Sequence, residues 1–465
     1  MSHLRPDIVY AAAEAVQWAV QAVTSALPHT AVVLEAPAGA GKSYAVVSIA
    51  LQLAATGRRV AISAFTNEQV DELVREAMRR ATTLRLLHLH AKTHTSPAAA
   101  AQGQVAGSHS AADCPEFDIT IATLARLGRR LKHDPAPPSF DVLIVDEAFQ
   151  ASMRDYLRVG EVAVRHLLVG DRGQLAPFSA AEGANFWRGQ SHDPLNHSVG
   201  VLERNRPQSV VRRRLPVTRR LDGRAVPIAR LFYHPEHTFD AAVLDGVRNL
   251  TLPEADGTNS WDAPLLHAAS TGWCWAEVEA PDDGSVDLVF AQEISGAIAR
   301  ILDSGATYTL ETGDGSSTRT QKLMQQDVAV AVPHNAQRVM LRSLLADLGL
   351  PDVPVLTANK MQGLTYQVVF AWHPFAGLTE LDPFHLEPGR LCVMLTRHRQ
   401  ACIVVARKGD QSLLDGVPPQ AEVWLNVSEE PTLSGWLLHE AVAAALTPHR
   451  FESTIRGYQA VAEPR

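Results

Sequence analysis

The chain has 465 residues, 42 Lys plus Arg against 50 Asp plus Glu, and a formal net charge of −8. With 46% hydrophobic and 20% charged residues, its composition is that of a globular protein with room for two or three domains. That excludes a disordered chain, a collagen-like repeat and a disulfide scaffold, and the acidic balance excludes a protein coated throughout with positive charge.

The first apolar stretch, from Ile8 to Leu27, is interrupted by Glu14, Gln17 and Gln21, so it reads as a soluble helix and not as a signal or membrane segment. Strands are expected at Ala31–Glu35, Val60–Ser63, Ile119–Ala122, Val142–Val145 and Leu167–Val169. Helices are expected over Lys42–Ala55 and Asn67–Arg80, and the alternation is that of a parallel sheet with crossover helices. Residues 91–114, rich in Ala, Ser, Gly and His, read as a flexible insertion. The polar, Gly-rich stretch Glu182–Gly200 sets a boundary near residue 200. Beyond it, strands are expected at Val286–Phe290, Val328–Val332, Val353–Leu356, Val368–Trp372 and Ile403–Ala406, with a Gly/Ser/Thr-rich loop over Asp303–Lys322. The expected organisation is two α/β domains, 1–200 and 201–465.

Cys114, Cys274, Cys392 and Cys402 fall in no paired spacing and read as reduced thiols of an intracellular protein. His88, His90 and His94 have the ligand type for zinc, but no cysteine stands at a matching spacing. They read as loop histidines, and no metal other than Mg²⁺ is expected.

After the first strand comes Ala36-Pro37-Ala38-Gly39-Ala40-Gly41-Lys42-Ser43, then a helix. This is the phosphate-loop pattern G-x-x-x-x-G-K-[ST] with Ala36 in place of the first glycine. Gly39 and Gly41 permit the tight turn that aims backbone N–H groups at phosphate oxygens, and the helix N-terminus adds positive potential. Lys42 reaches the outer phosphates, and the Ser43 hydroxyl is placed to ligate Mg²⁺. The ligand class is ATP or GTP. The partner acids are Asp146-Glu147, at the end of the strand Val142–Val145. There Asp146 is placed to hold Mg²⁺, and Glu147 to deprotonate an attacking water, which favours hydrolysis over transfer to a second substrate.

From Asp146-Glu147-Ala148-Phe149-Gln150 onward the sequence resembles a superfamily 1 helicase, closest to the Upf-like and RecD-like 5′→3′ branch. Residues 64–73 (AFTNEQVDEL) are similar to the T-N-x-A-V-D-x-L segment that contacts a single strand. Residues 170–177 (GDRGQLAP) resemble G-D-x-x-Q-L-P-P, whose glutamine, here Gln174, senses the γ-phosphate. Residues 215–221 (LPVTRRL) place Arg220 as a phosphate-reaching arginine, and Leu231-Phe232-Tyr233 fits the segment that follows. Residues 332–337 (VPHNAQ) resemble T-P-Y-x-x-Q, and residues 357–363 (TANKMQG) the Q-G motif at an inter-domain cleft. Residues 390–397 (RLCVMLTR) are similar to V-A-L-T-R-A, with Arg397 in the arginine-finger place. Thr365 stands where the family has a ribose-contacting acid, Arg172 replaces a proline, and His398 replaces an alanine.

The resemblance implies two tandem RecA-like domains, ATP and Mg²⁺, with Gln17 as the adenine-reading glutamine and Gly363 beside the nucleotide. It implies strand contacts at Thr66, Asn67, Thr123, His334, Thr357 and Gln362, with Arg126, Arg129 and Arg130 neutralising phosphates. Nine arginines and one acid, Asp222, lie between Arg204 and Arg230, so a local basic groove is expected inside the acidic whole. Trp187, Phe232, Tyr233 and His334 are aromatic side chains suited to stacking on bases. The implied function is an ATP-dependent helicase or translocase moving 5′→3′ on single strands, DNA ahead of RNA. The alternative is a strand-stimulated ATPase that clamps without unwinding. No membrane partner is implied, and the expected setting is the cytoplasm of a bacterium, or a phage product acting there.

Overall fold

Short runs of Val, Ile, Leu and Ala become strands buried on both faces, and the stretches between them become the covering helices. The computed structural model describes residues 2–28, 30–80, 83–97, 105–133, 140–177, 187, 193, 196–279, 287–416, 431–454 and 457–460. The first half builds β1 (Ala31–Glu35), β2 (Val60–Ala64), β3 (Leu86–Leu89), β4 (Val105–Ser108), β5 (Ile119–Thr123), β6 (Phe140–Val145), β7 (Ala163–Gly170) and β8 (Val210–Arg214). These form one eight-stranded sheet in the order β4-β3-β5-β2-β6-β7-β1-β8, parallel at every pairing.

Alternate strand residues feed two cores. Val32, Leu34, Ile62, Ile144 and Val169 pack with α1 (Pro6–Ser25), α2 (Lys42–Ala55) and α3 (Asn67–Arg80). Val33, Ala61, Leu143, Val145 and Leu168 pack on the other face with Leu124 and Leu127 of α4 (Leu124–His133).

The second half adds β9 (Val217–Thr218), β10 (Asp240–Ala241), β11 (Asn249–Thr251), β12 (Trp273–Val278), β13 (Thr307–Glu311), β14 (Thr318–Lys322), β15 (Val328–Val332), β16 (Val355–Thr357), β17 (Tyr366–Trp372), β18 (His398–Arg407), β19 (Arg450–Thr454) and β20 (Gly457–Ala460). Seven of them make a second sheet, β16-β15-β17-β18-β12-β19-β20, parallel except where β19 meets β20. It too is covered on both faces, Phe370, Ile403 and Val405 entering one core and Val369, Val404 and Ala406 the other. Two large parallel sheets flanked by helices, with a phosphate loop after β1, are the tandem RecA-like α/β class that the sequence implies.

Several expectations are corrected. The stretch 286–290 is not a strand: within the described residues a helix runs Leu288–Asp303, started by Asp287, whose carboxylate accepts from the Phe290 N–H at 3.1 Å. A short apolar run serves either a strand or a buried helix, and the capping aspartate decides. The Gly/Ser/Thr-rich stretch 303–322 is largely the β13–β14 hairpin, antiparallel and joined to β11. Its strands are mainly Thr, Glu, Arg, Gln and Lys, with Tyr308 the buried exception, so they carry no apolar run to read. The insertion at 91–114 supplies β4 at the sheet edge and a short 3₁₀ helix, Ala111–Glu116. The boundary expected at residue 200 falls before the last strand of the first sheet, because β8 pairs with β1 from Ala31↔Val210 to Glu35↔Arg214. Most of the stretch 182–200 lies outside the described residues, but from Ser198 it is a helix to Asn205. Among the described residues no helix is long and apolar enough to cross a membrane.

Candidate nucleotide cleft

Residues 36–43 leave the carboxyl end of β1 and turn into α2. Gly39 and Gly41 have φ of +74° and +82°, the left-handed conformation that glycine adopts without a steric penalty. Ala36 is buried and has no positive φ, so the missing first glycine costs the loop nothing. The loop is braced from the segment after β8. Thr218 Oγ1 donates to the Ala38 carbonyl at 2.8 Å, and the Arg219 N–H donates to the Gly39 carbonyl at 2.7 Å. The Ala38 N–H donates to Tyr233 Oη at 2.7 Å. A Cβ on Gly39 would sit 2.3 Å from Arg220 Cβ, so a side chain there would push that arginine away.

At the end of β6, burial and then the neighbouring Glu147 charge push the Asp146 carboxyl up, to about 7, against the pull of Lys42. The Glu147 N–H donates to Asp146 Oδ1 at 2.9 Å. Glu147 is the one described non-glycine residue with positive φ, at 54°, a conformation costing about 1–3 kcal/mol and typical of functional sites. Lys42 Nζ lies 3.5 Å from Glu147 Oε1 and 3.9 Å from Asp171 Oδ2. Asp171 is a junction that sequence reading left without a role. It accepts from Tyr233 Oη at 3.1 Å, from the Gly173 N–H at 3.0 Å and from Gln174 Nε2. Burial raises its carboxyl, and Lys42 pulls the other way. Its place in the 170–177 motif was the available signal.

The opposite wall comes from the second half. Gln362 Nε2 donates to Gln174 Oε1 at 3.2 Å, joining the two motifs directly. Gly363 has φ +84°. Arg220 Nε donates to Thr365 Oγ1 at 2.8 Å and its Nη1 to the Thr396 carbonyl at 3.0 Å. Burial, then Arg397 and Arg399, lower its guanidinium to about 9. Arg397 is 1% exposed. Its Nε donates to the Val393 carbonyl at 3.2 Å, while its Nη2 is buried without a hydrogen-bond partner among the described residues.

Around one cleft of about 230 Å³ stand Lys42, Ser43, Asp146 and Glu147, then Arg220, Gly363, Thr365 and Arg397. Gln69, Glu72, Arg219 and Arg399 also line it, and none of these was singled out from sequence. The donor set fits a magnesium nucleotide. Ser43 and Asp146 offer the oxygen ligands a hard cation takes, the glycine loop leaves the backbone open to phosphates, and the orphaned Arg397 Nη2 lacks an acceptor that a phosphate oxygen would supply.

Gln17 is not at this cleft. It lies exposed on α1 and donates to Gln52 Oε1 at 3.0 Å, and Gln52 is ten residues along α2 from Lys42, about 15 Å at the helical rise. Because α1 buries Ala12, Ala15, Ala19 and Val23, position 17 falls on its solvent side.

The expected strand contacts lie at carboxyl ends of strands. Thr66 and Asn67 are exposed where α3 begins, after β2, and Ala64 is in register with Thr123 at the end of β5. Thr123 Oγ1 accepts from the Arg126 N–H at 3.2 Å. Arg126 donates through Nη2 to the His109 carbonyl, Arg129 is exposed, and the side chain of Arg130 lies outside the described residues. On the second sheet Thr357 is in register with Val332, two residues before His334. His334 stacks on Phe384 with ring centroids 5.0 Å apart and meets His385 Nε2 at 2.8 Å. Of the other aromatics, Phe232 is core, Tyr233 is committed to the phosphate loop, and Trp187 is about half exposed.

The basic groove expected over 204–230 is neutralised in part. Arg212 pairs with Glu203 and Glu35 at 2.9 and 3.3 Å, Arg214 with Glu35 at 3.1 Å, and Arg224 with Asp222 at 2.5 Å. Arg230 donates to the Phe239 carbonyl at 2.8 Å. Burial pushes the Glu35 carboxyl up, but Arg172, Arg212 and Arg214 outweigh it and hold it low. The local charge count overstated the excess because Glu35, far away in sequence, and Glu203, one residue before the counted stretch, neutralise part of it.

Residues 13–193 match the AAA domain family. No curated protein matches the sequence. Among solved structures, the chain is similar to the arterivirus nonstructural protein 10 helicase at 15% identity and a TM-score of 0.43, covering 86% of this chain and 64% of that one. It is similar to the DNA complex of an arterivirus nonstructural protein 10 helicase at 13% identity and a TM-score of 0.43, covering 87% of this chain. The chain therefore spans less than two thirds of these helicases, 64% and 65% of their lengths.

Proposed function

We propose that this chain is an ATP-driven motor on single-stranded nucleic acid, a helicase or translocase moving 5′→3′. The observation that carries the reading is the composite cleft. A phosphate loop and its acids line it from the first sheet, and Gly363 and Arg397 line it from the second. A nucleotide bound there touches both halves, so its hydrolysis changes what holds them together.

In this reading Lys42 turns from Glu147 and Asp171 to the outer phosphates. Ser43 and Asp146 hold Mg²⁺, which when bound supplies positive charge at the phosphate oxygens. Glu147, released from Lys42, takes the proton of the attacking water. Gln174, held between Asp171 and Gln362, registers whether a γ-phosphate is present. Arg397 presents its unpartnered Nη2 to the charge that develops on the transferred group, and Arg220 adds its charge from the bend after β9. The strand is gripped at the ends of β2 and β5 by Thr66, Asn67, Thr123, Arg126, Arg129 and Arg130. On the second sheet the grip comes from His334, Thr357 and Gln362.

The test is ATP hydrolysis with and without single-stranded DNA or RNA, beside strand displacement from 5′- and 3′-tailed duplexes. Stimulation by single strands and displacement from the 5′ tail are expected, with turnover abolished in Lys42→Ala and reduced about 10²–10³-fold in Arg397→Ala. Turnover indifferent to any polynucleotide would sink the motor reading. Stimulation without displacement would leave a clamp.

A further inference from the structure

Away from the cleft, α3 and the end of β3 bring together metal-ligating side chains that the motor reading does not use. One ring nitrogen each from His88 and His94 and a carboxylate oxygen of Asp71 lie within 4.8 Å of one another. We propose that Asp71, His88 and His94 bind a borderline divalent transition ion, Zn²⁺ foremost, which fastens the loop after β3 to α3.

The three come from separate places in the sequence, which is why spacing alone did not join them. Asp71 is on the second turn of α3, His88 is within β3, and His94 is six residues on in the loop. His94 Nε2 is 2.9 Å from Asp71 Oδ1, and that pair would account for two of the groups without an ion. It does not account for His88, which is 1% exposed and brings a nitrogen to the same point. Ser96 Oγ lies 2.6 Å from His88 Nδ1 and fixes the ring, the kind of outer contact that orients a ligating imidazole. His90 packs alongside, its ring centroid 4.9 Å from His88 and 6.1 Å from His94. Its Nδ1 is within 3.0 Å of the Ala91 carbonyl.

Two imidazoles and one carboxylate form a mixed nitrogen–oxygen set that suits Zn²⁺ better than a hard cation. Ligands about 2.0–2.1 Å from a tetrahedral ion stand about 3.4 Å apart, so small side-chain movements close the site. Water completes the fourth position. The location gives the ion a task. Thr66 and Asn67 begin the same helix that carries Asp71, so the ion would order a loop beside an expected strand contact.

Full-length protein, stripped with chelator and titrated with Co²⁺, is expected to take up one ion per chain with the visible absorption of a four-coordinate, imidazole-ligated site. Zn²⁺ is expected to displace it at one equivalent. Asp71→Asn and His94→Ala are each expected to weaken Zn²⁺ binding by at least about tenfold, with circular dichroism reporting that the variants fold. X-ray absorption of the Zn²⁺-loaded wild type needs no variant and is expected to show a nitrogen and oxygen shell with imidazole scattering. Wild-type protein that retains neither ion through gel filtration would overturn the proposal. Zn²⁺ affinity unchanged in both folded variants, or a shell containing sulfur, would also overturn it, since the ligands would then lie elsewhere.

Discussion

Asp146 shows how a site built for a cation burdens the protein without one. Its carboxyl is buried beside Glu147 and raised to about 7, while an aspartate in the unfolded chain titrates near 3.9. A carboxyl whose folded value is raised favours the folded state when protonated. Its contribution is therefore complete below about pH 4 and is lost as the pH rises through the folded value. The nucleotide-free chain is thus expected to lose stability between about pH 4 and pH 8. Asp146→Asn keeps the acceptor for the Glu147 N–H and removes the charge. It is expected to raise the melting temperature at pH 8 by a few degrees, at about 2–4 °C per kcal/mol, and to leave it unchanged near pH 4. Thermal melts of both chains across that range would check this. A gain of equal size at both ends would show that the buried charge is not the cause. The left-handed Glu147 and the unpartnered Arg397 Nη2 belong to the same pattern, in which local costs gather where a ligand would repay them.

At the scale of elements, the β13 strand acts at a distance on the cleft. Arg248 is 3% exposed. Its guanidinium binds Glu311 of β13 at 2.6 and 3.0 Å, and it donates to the carbonyls of Arg219, at 2.7 Å, and Arg220. It therefore fixes the backbone of both arginines at the cleft without touching the nucleotide position. Arg248→Ala is expected to cost about 3–5 kcal/mol, as for a buried pair broken from one side, and to slow ATP turnover through the displaced Arg220. Chemical denaturation and steady-state turnover read the two effects, and a stable variant with normal turnover would refute the brace.

This brace was invisible in the sequence, since its members are scattered and the hairpin that carries Glu311 has no apolar signature. What was legible followed from patterns that physics makes local. The runs at Val60–Ala64 and Val328–Val332 are strands because every residue in them is buried. The phosphate loop was legible because its turn needs glycine at two positions. Strand β4 was missed because Val105–Ser108 sits within a stretch dominated by small and polar side chains, and β3 because Leu86–Leu89 is only four residues long and is broken by His88. Gln17 was misplaced because an amphipathic helix gives a glutamine on either face the same appearance.

For the whole molecule, the electrostatics of the fold decide how a strand would be held. The chain has a net charge of −8, and nine arginines stand between Arg204 and Arg230. Were all nine to meet phosphates, each would release a counterion, and the logarithm of strand affinity would fall against the logarithm of salt with a slope of about −6. The fold commits Arg212, Arg214 and Arg224 to Glu35, Glu203 and Asp222, and Arg220 to the cleft. Arg219 lines the cleft beside Arg220, Arg230 holds the Phe239 carbonyl, and Arg204, Arg206 and Arg213 lie on or just before β8, five strands along the sheet from β5. With Arg126, Arg129 and Arg130, on the helix after β5, as the expected phosphate contacts, the slope is about −2. Between about 50 and 200 mM salt the two cases differ widely, a loss of about 15-fold in affinity against about 4,000-fold. Fluorescence anisotropy of a labelled oligonucleotide across that range is expected to give the shallow slope. Arg129→Ala is expected to flatten it further, by about 0.7. A slope near −6 would mean that the ion pairs at Glu35 and Glu203 open when a strand binds, and that the edge of the first sheet at β8 is part of the grip.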